Sequence, residues 1–268
     1  MTDTEMAWRP RLGELTWAEA KAGLEQTNLI IIPVGATEQH GPHLPLCTDS
    51  MNIQAVAEDA ALLERVFVAP TVVYGVSDNH MSFAGTVSLR PRTLIDLVFD
   101  VGRSLHSHGF WRLLLLNGHG GNLDSMGVAA HELRAALPDA VVAFSDLVGF
   151  VYDGYEPTSR IIYHADEGET AHSLAVAPDL VRMDRAVTEV SQGFAAYYGR
   201  YYAKGGEMAG RTNYGLPPTD IMTTSGVMGD AAAATLEAGK RMHEVAVNGL
   251  RGIVQDLKAR APFSESRP

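Results

Sequence analysis

The chain is short of several things, and each shortage narrows what it can be. It has one cysteine, Cys47, among 268 residues, so no internal disulfide is possible and a structural zinc site built from thiolates is excluded. No uninterrupted apolar stretch approaches the roughly 20 residues needed to cross a bilayer. The opening MTDTEMAWRPRLGEL carries neither an apolar core nor a small-residue cleavage pattern, so no leader is expected and a reducing cytoplasm is the expected compartment. Basic residues are also scarce: 21 Lys and Arg face 32 Asp and Glu, for a formal charge of −11. Such a surface repels nucleic acid and anionic lipid, Arg182 and Arg185 being a local basic exception. No nucleic-acid partner and no membrane are expected, and a small-molecule substrate is. Cys47 is read as a small buried side chain, because no neighbour offers it a base.

Repeats, low-complexity tracts and linker-like composition are absent too, and 46% hydrophobic with 20% charged residues is ordinary for a globular protein. One domain spanning 1–268 is the expectation. Apolar β-type runs near 28–35, 66–75, 112–117 and 141–148 each lead into Gly, Asn or Asp, and helical patterns near 50–64, 92–108 and 123–136 lie between them. This alternation predicts an α/β fold with a mostly parallel sheet, right-handed crossovers and flanking helices. Further on, helices are expected over 168–176 and 230–259, separated by a Tyr/Gly-rich stretch at 194–220 that is either an ordered loop near the site or an oligomer contact. Polar residues just past the strand C-termini then fall on one rim, where ligands bind in such folds.

Three motifs sit on that rim. In PVGATEQHGPHLPLCTDS, Glu38 and His40 are two apart on an extended backbone and project to the same side, while the Gly41/Pro42/Pro45 turn brings Asp49 back to them. In LLLLNGHGGN, His119 follows a continuous apolar strand and is flanked by glycine; Asn122 is read as an N-cap or as part of an anion-binding nest. In YHADEGETAHSLAV, His164 and Glu169 precede or open a helix. Each motif has a plain alternative: Asp49 as an N-cap, His119 as a hydrogen-bonded core residue, Glu169 as a first-turn carboxylate favoured by the helix dipole. Together they suit two divalent ions about 3.5 to 4 Å apart, which need a bridging carboxylate, for which Asp49 is placed, and mixed N/O ligands. Zinc, manganese and iron all fit such donors. His43, after Pro42, is expected to face away from Glu38 and His40, behind the site or in solvent. His80 and Asp78 border the segment FAGT and are candidates to line the pocket, whereas His106, His108 and His131 read as surface or packing residues on helices.

The combination of Glu38/His40/Asp49, FAGTVSL at 83–89, NGHGGN at 117–122 and H-x-x-x-x-E-T at 164–170 resembles the creatininase (creatinine amidohydrolase) family over about residues 28–182. The resemblance implies a creatininase-like α/β fold, a binuclear metal centre with zinc and possible manganese or iron, hydrolysis of amides or cyclic amides, and a homo-oligomer, often a hexamer. It implies that Glu38, Asp49 and His119 hold one metal and that His40 with Asp49 holds the second. His164 matches the proton shuttle, and Ser77 the substrate-contacting serine. Two positions depart from creatininase itself. Where creatininase has a ligand glutamate after the NGH motif this chain has Gly121, so Glu169 is expected to replace it; where creatininase closes a tryptophan over creatinine this chain has Arg160. Arg160 either pairs with a substrate carboxylate or phosphate or makes a surface ion pair. The reading is a metal-dependent hydrolase of a small amide or cyclic amide other than creatinine. Its alternatives are a deformylase of a nucleotide-precursor formamide, a ring-opening hydrolase of a cyclic ketone or sugar-derived metabolite and, in another class, a non-catalytic metal-binding assembly protein.

Overall fold

The computed structural model describes residues 8–146, 163–189 and 217–261. Four parallel strands form the central sheet: β1 (Leu29–Val34), β2 (Phe67–Val68), β3 (Arg112–Asn117) and β4 (Val141–Asp146), in the order β2-β1-β3-β4. The helices are α1 (Trp17–Leu24), α2 (Thr48–Glu64), α3 (Pro91–Ser107), α4 (Leu123–Ala136), α5 (Glu167–Val176), the single turn α6 (Thr219–Met222) and α7 (Leu236–Ala259). A small antiparallel pair, β5 (Thr188–Glu189) and β6 (Gly229–Asp230), completes the described structure.

Residue alternation along the strands builds two cores. Ile30, Ile32, Leu113 and Leu115 point to one face and pack against Leu94 and Val98 of α3 and Met126 and Leu133 of α4. Leu29, Ile31, Leu114 and Leu116 point to the other and meet Ile53 and Val56 of α2 and Ala246, Leu250 and Val254 of α7. Strands covered on both faces explain why their sequences read as unbroken apolar runs. At 25 cal/mol per Å² or so, each such buried Leu or Ile contributes about 1.5 to 3 kcal/mol.

Two expected elements are shorter than their sequence patterns. The run at 66–75 forms only Phe67–Val68 as strand, because Pro70 has no amide hydrogen to give the ladder. The chain nevertheless keeps alongside β1, with Ala69 N donating to Ile31 O at 2.8 Å and Val72 N to Pro33 O at 3.0 Å. The last helix starts at Leu236 rather than near 230, since Thr235 caps it by accepting from Ala238 N and Ala231–Ala233 form a separate 3-10 turn. Arg160 and the Tyr/Gly-rich stretch through 216 lie outside the described residues.

The strand order places the site. From β1 the chain moves outward to β2, then crosses back over β1 to β3, so the direction of winding changes between β1 and β3. The crevice beyond the C-terminal ends of those two strands is where ligands bind in open α/β sheets. It receives the loop after β1 and the loop after β3, and the N-terminus of α2 closes against it. Gly35 permits that approach, as a Cβ there would lie 2.5 Å from Ser50 Cα.

Candidate metal centre

The segment after β1 is held extended from both sides. Val87 N donates to Thr37 O at 2.9 Å, Gln39 N to Thr86 Oγ1 at 3.1 Å, and Glu38 N to Leu46 O at 3.0 Å. The FAGTVSL segment thus serves as the rail that keeps Glu38 and His40 on one side. Asp49 stands in the first turn of α2, but its side chain leaves the helix end and turns into the crevice. His119 is placed by Asn117 at the end of β3, whose side-chain amide donates to His119 O at 2.8 Å and to Asp146 Oδ1 at 3.0 Å. The third motif arrives through an antiparallel bridge between His164 and Met228. Ala165 then takes a left-handed φ of 49°. Asp166 caps α5 by accepting from Gly168 N and Glu169 N.

These pieces converge. One ligand-type atom from each of Glu38, Asp49 and His119 lies within 4.8 Å of the others; so do atoms of His40, Asp49 and Glu169, and of Glu38, His40 and His164. Asp49 Oδ1 is 3.2 Å from His40 Nε2 and Asp49 Oδ2 is 3.1 Å from His119 Nδ1. Glu169 Oε2 is 3.7 Å from His40 Nε2 and accepts from Ala165 N at 2.5 Å.

The ring hydrogens follow from their partners, because a backbone carbonyl can only accept. His40 Nδ1 donates to Glu38 O at 3.2 Å, His119 Nε2 to Val76 O at 2.9 Å, and His164 Nε2 to Gln39 O at 2.7 Å. Each imidazole therefore turns its other nitrogen toward the carboxylates, the atom that offers a lone pair to a metal once it carries no proton, which is how outer partners orient metal-binding histidines. Glu38 Oε2, His40 Nε2 and Asp49 Oδ2 are buried and make no hydrogen bond. Two buried carboxylates and a partly buried third beside an unsatisfied imidazole nitrogen cost heavily unless cations pair with them. The residues present fit two divalent ions of the kind that N/O ligands hold.

Charge coupling in the metal-free cluster is strong. Burial alone would lower His40, but Asp49, Glu169 and Glu38 outweigh it and raise the imidazole to about 10; burial opposes and Glu38 and Asp49 raise His119 to about 9. Burial, with Asp166 and Asp49 beside it, pushes Glu169 up to about 8. Burial also raises Glu38, whereas Asp49, against the same burial, is held far below the usual carboxylate range by His40 and His119. His164 is lowered well below its ordinary value by burial and by the charge of His40.

Ser77 is fully buried, with Oγ 3.3 Å from His119 Nε2. His80 is buried in a 3-10 turn, its Nε2 3.7 Å from Glu38 Oε1. Asp78 beside it is exposed, and so are His108 and His131. His106 is half-buried against Asp139. Cys47 is exposed, contrary to its expected burial, because it stands at the turn that leads into α2. His43 does not reach solvent: its Nε2 pairs with Thr170 Oγ1 at 2.8 Å and ties the first motif to α5. Asn122 does not cap α4 with its side chain; it accepts from Val76 N at 2.9 Å and donates to Gly35 O at 3.0 Å, joining three loops. Gly121 leaves no room for the glutamate of creatininase, since a Cβ there would meet Val76 O at 2.1 Å. Gln39 and Asn117 were not singled out by sequence reasoning. The one available signal was position: Gln39 stands between two ligand-type residues and Asn117 at a strand end.

Comparison with known proteins gives a consistent family. The family model described as "Creatininase: Creatinine amidohydrolase" matches residues 13–254. A 3-dehydro-scyllo-inosose hydrolase from Thermotoga maritima is 29% identical over 268 aligned residues, covering 95% of this chain and 85% of that protein. A mycofactocin precursor peptide peptidase from Mycolicibacterium smegmatis is 34% identical over 229, covering 82% of each. Among solved structures, one described as "Creatininase Mn" matches with a TM-score of 0.75 at 28% identity, covering 92% of this chain and 98% of that one.

Proposed function

This chain belongs to the creatininase family, and from that premise we propose that it is a two-metal hydrolase that cleaves a C–N bond of a small amide or cyclic amide other than creatinine. The observation that carries the reading is the set of three histidines, each tied by one ring nitrogen to a backbone carbonyl and turning the other toward Glu38, Asp49 and Glu169. Glu38, Asp49 and His119 would hold one ion, and His40, Asp49 and Glu169 the other. Divalent ions there would supply Lewis acidity and an activated water. Zinc fits the donors, as do manganese and iron.

The chain's own residues then handle the protons. His164 is neutral, its Nε2–H engaged by Gln39 O, and its Nδ1 lies 3.7 Å from Glu38 Oε1. Nδ1 takes the proton released as water adds to the carbonyl and gives it to the leaving nitrogen as the C–N bond breaks, leaving an acid and an amine. Burial and His40 hold its basicity down, so the proton is passed on rather than kept. His80, Ser77 and Arg160 would contact the substrate. His164→Ala should keep two equivalents of metal while turnover falls by about 10² to 10⁴-fold; loss of metal would make His164 a ligand instead. Glu169→Gln should drop metal content from two equivalents to one, and full retention of both ions with full activity would sink its assignment.

A second reading keeps the same centre and changes the leaving atom from nitrogen to carbon, as in ring opening of a cyclic ketone. It is favoured by the likeness to the inosose hydrolase across nearly the whole chain. Metal-loaded protein assayed against formamides, lactams, hydantoins, a short peptide and cyclic ketones separates the two. We expect hydrolysis of an amide; turnover of the ketones alone would select the second reading, and none with two metals bound would remove both. A homo-oligomer, a hexamer by family resemblance, is part of the proposal and is checked by sedimentation.

A further inference from the structure

Gln39 lies between two ligand-type residues yet points its side chain elsewhere, to two histidines. Its Nε2 is 2.9 Å from His80 Nδ1 and 3.2 Å from Gly226 O, and its Oε1 accepts from Gly41 N at 2.9 Å. The amide can be oriented only one way. Turned over, it would set NH₂ against the Gly41 N–H and oxygen against the Gly226 carbonyl. Gly226 is shaped to this group: its φ is 85°, and a Cβ there would lie 2.0 Å from Gln39 Oε1. Both hydrogens of the amide are thereby spoken for, by His80 Nδ1 and by Gly226 O.

His80 Nδ1 must then accept. Its other neighbour agrees, because Thr219 Oγ1 lies 3.1 Å away and itself receives Asn79 Nδ2 at 3.4 Å, so the hydroxyl hydrogen is free to point at His80. A neutral imidazole that accepts at Nδ1 carries its hydrogen on Nε2, the atom that faces Glu38 Oε1 at 3.7 Å, beyond hydrogen-bond length. His164 is held by the same residue through its main chain. Gln39 O accepts from His164 Nε2 at 2.7 Å, which leaves Nδ1 as the lone-pair atom 3.7 Å from the same Glu38 Oε1. The 2.9 Å approach of Gln39 Nε2 to His164 Nε2 is a contact of two donors whose hydrogens point elsewhere. The two rings lie against each other with centroids 4.3 Å apart and planes inclined by 32°.

We infer that Gln39 is a positioning residue that gives His80 and His164 opposite hydrogen-bonding polarity at the reaction space: His80 presents a fixed N–H and His164 a fixed lone pair. A carbonyl oxygen and a proton in transit need those two opposite partners, and one residue supplies both constraints, by its amide and by its carbonyl. The inference deepens the hydrolase reading, but its test does not depend on finding a substrate.

The test is ¹⁵N-histidine NMR of the zinc-loaded full chain. In the unaltered protein His80 should show hydrogen on Nε2 and a lone pair on Nδ1, and His164 likewise. In Gln39→Glu a carboxylate oxygen replaces the donor, so the His80 hydrogen should move to Nδ1 while the His164 pattern stays, its partner being main chain. Gln39→Met, which keeps the length and donates nothing, should leave only Thr219 on His80 and give a mixture of both tautomers; it also serves if the glutamate variant does not fold. Both variants should retain two zinc ions. An unchanged His80 tautomer in both variants would overturn the inference, and so would hydrogen on Nδ1 of His80 in the unaltered protein. Loss of zinc from both variants would overturn it too, as Gln39 would then be supporting the ligands. Failure of the substrate panel alone would count against the hydrolase reading and leave these spectra standing.

Discussion

Asp49→Ala is expected to abolish binding at both metal positions at once, with metal content falling from two equivalents to near none and hydrolysis to below about one thousandth. Groups behind the ligands of a metal already cost 10 to 100-fold when removed, and a shared ligand should cost more. The reason is geometric. Asp49 belongs to both convergent sets, Oδ1 facing His40 and Oδ2 facing His119, whereas Glu169 belongs to one and should cost one ion. The fold should survive, because Asp49 makes no cap bond at the start of α2 and alanine is a good helix former. Its loss also removes one of the charges that lift His40, beside Glu169 and Glu38, and His119, beside Glu38. Elemental analysis beside a circular dichroism spectrum checks this. A folded variant that still holds one tightly bound ion would show that the two positions do not share this carboxylate.

The contrast between Asp49 and Glu169 also marks where sequence reading succeeds. Strands β1, β3 and β4 and helix α4 follow runs whose periodicity is unambiguous, and the expected bounds of α4 coincide with those observed, 123–136. Glu38 and His40 share a side because an extended backbone alternates with period two, and that local rule holds where Thr37 and Gln39 are bonded to the 86–87 segment. The same rule hides Gln39, which it sends to the opposite side as filler. Its importance arises from His80, His164 and Gly226, which are 41, 125 and 187 positions away. Long-range closure of that kind leaves no local mark. His43, expected behind the site or in solvent, lies behind it, although its partner Thr170 is 127 positions distant and just as invisible locally; Cys47 departs from expectation because a turn position, rather than hydrophobicity, decides its exposure. The missing ligand glutamate at Gly121 was legible as a gap, and the steric reason, Val76 O against any side chain there, was not.

Metal affinity is expected to rise steeply with pH across neutrality. In the metal-free protein His40, His119 and Glu169 titrate at about 10, 9 and 8, so all three hold a proton at pH 7. An ion needs the lone pairs of His40 Nε2 and His119 Nδ1 and an ionised Glu169, and each must give up its proton first. Asp49, held low by the two imidazoles, contributes none. Uptake of two ions at pH 7 should therefore release about three protons from these groups, and more wherever Glu38, also raised by burial, still holds one, and the logarithm of the overall binding constant should climb with pH accordingly. The slope should lessen above about 8, where Glu169 is already ionised, and again above about 9 with His119. The fold adds a second term of the same sign on the acid side. Burial, aided by the charge of His40, lowers His80 to about 3, so below about 6.5 the unfolded chain takes up a proton that the folded chain refuses, and stability falls as pH drops from there toward 3. Zinc titrations against a competing chelator at several pH values, with proton release measured by calorimetry in two buffers, check the slope. An affinity that does not change between pH 6 and 8 would mean that the ions do not bind through these imidazoles and Glu169.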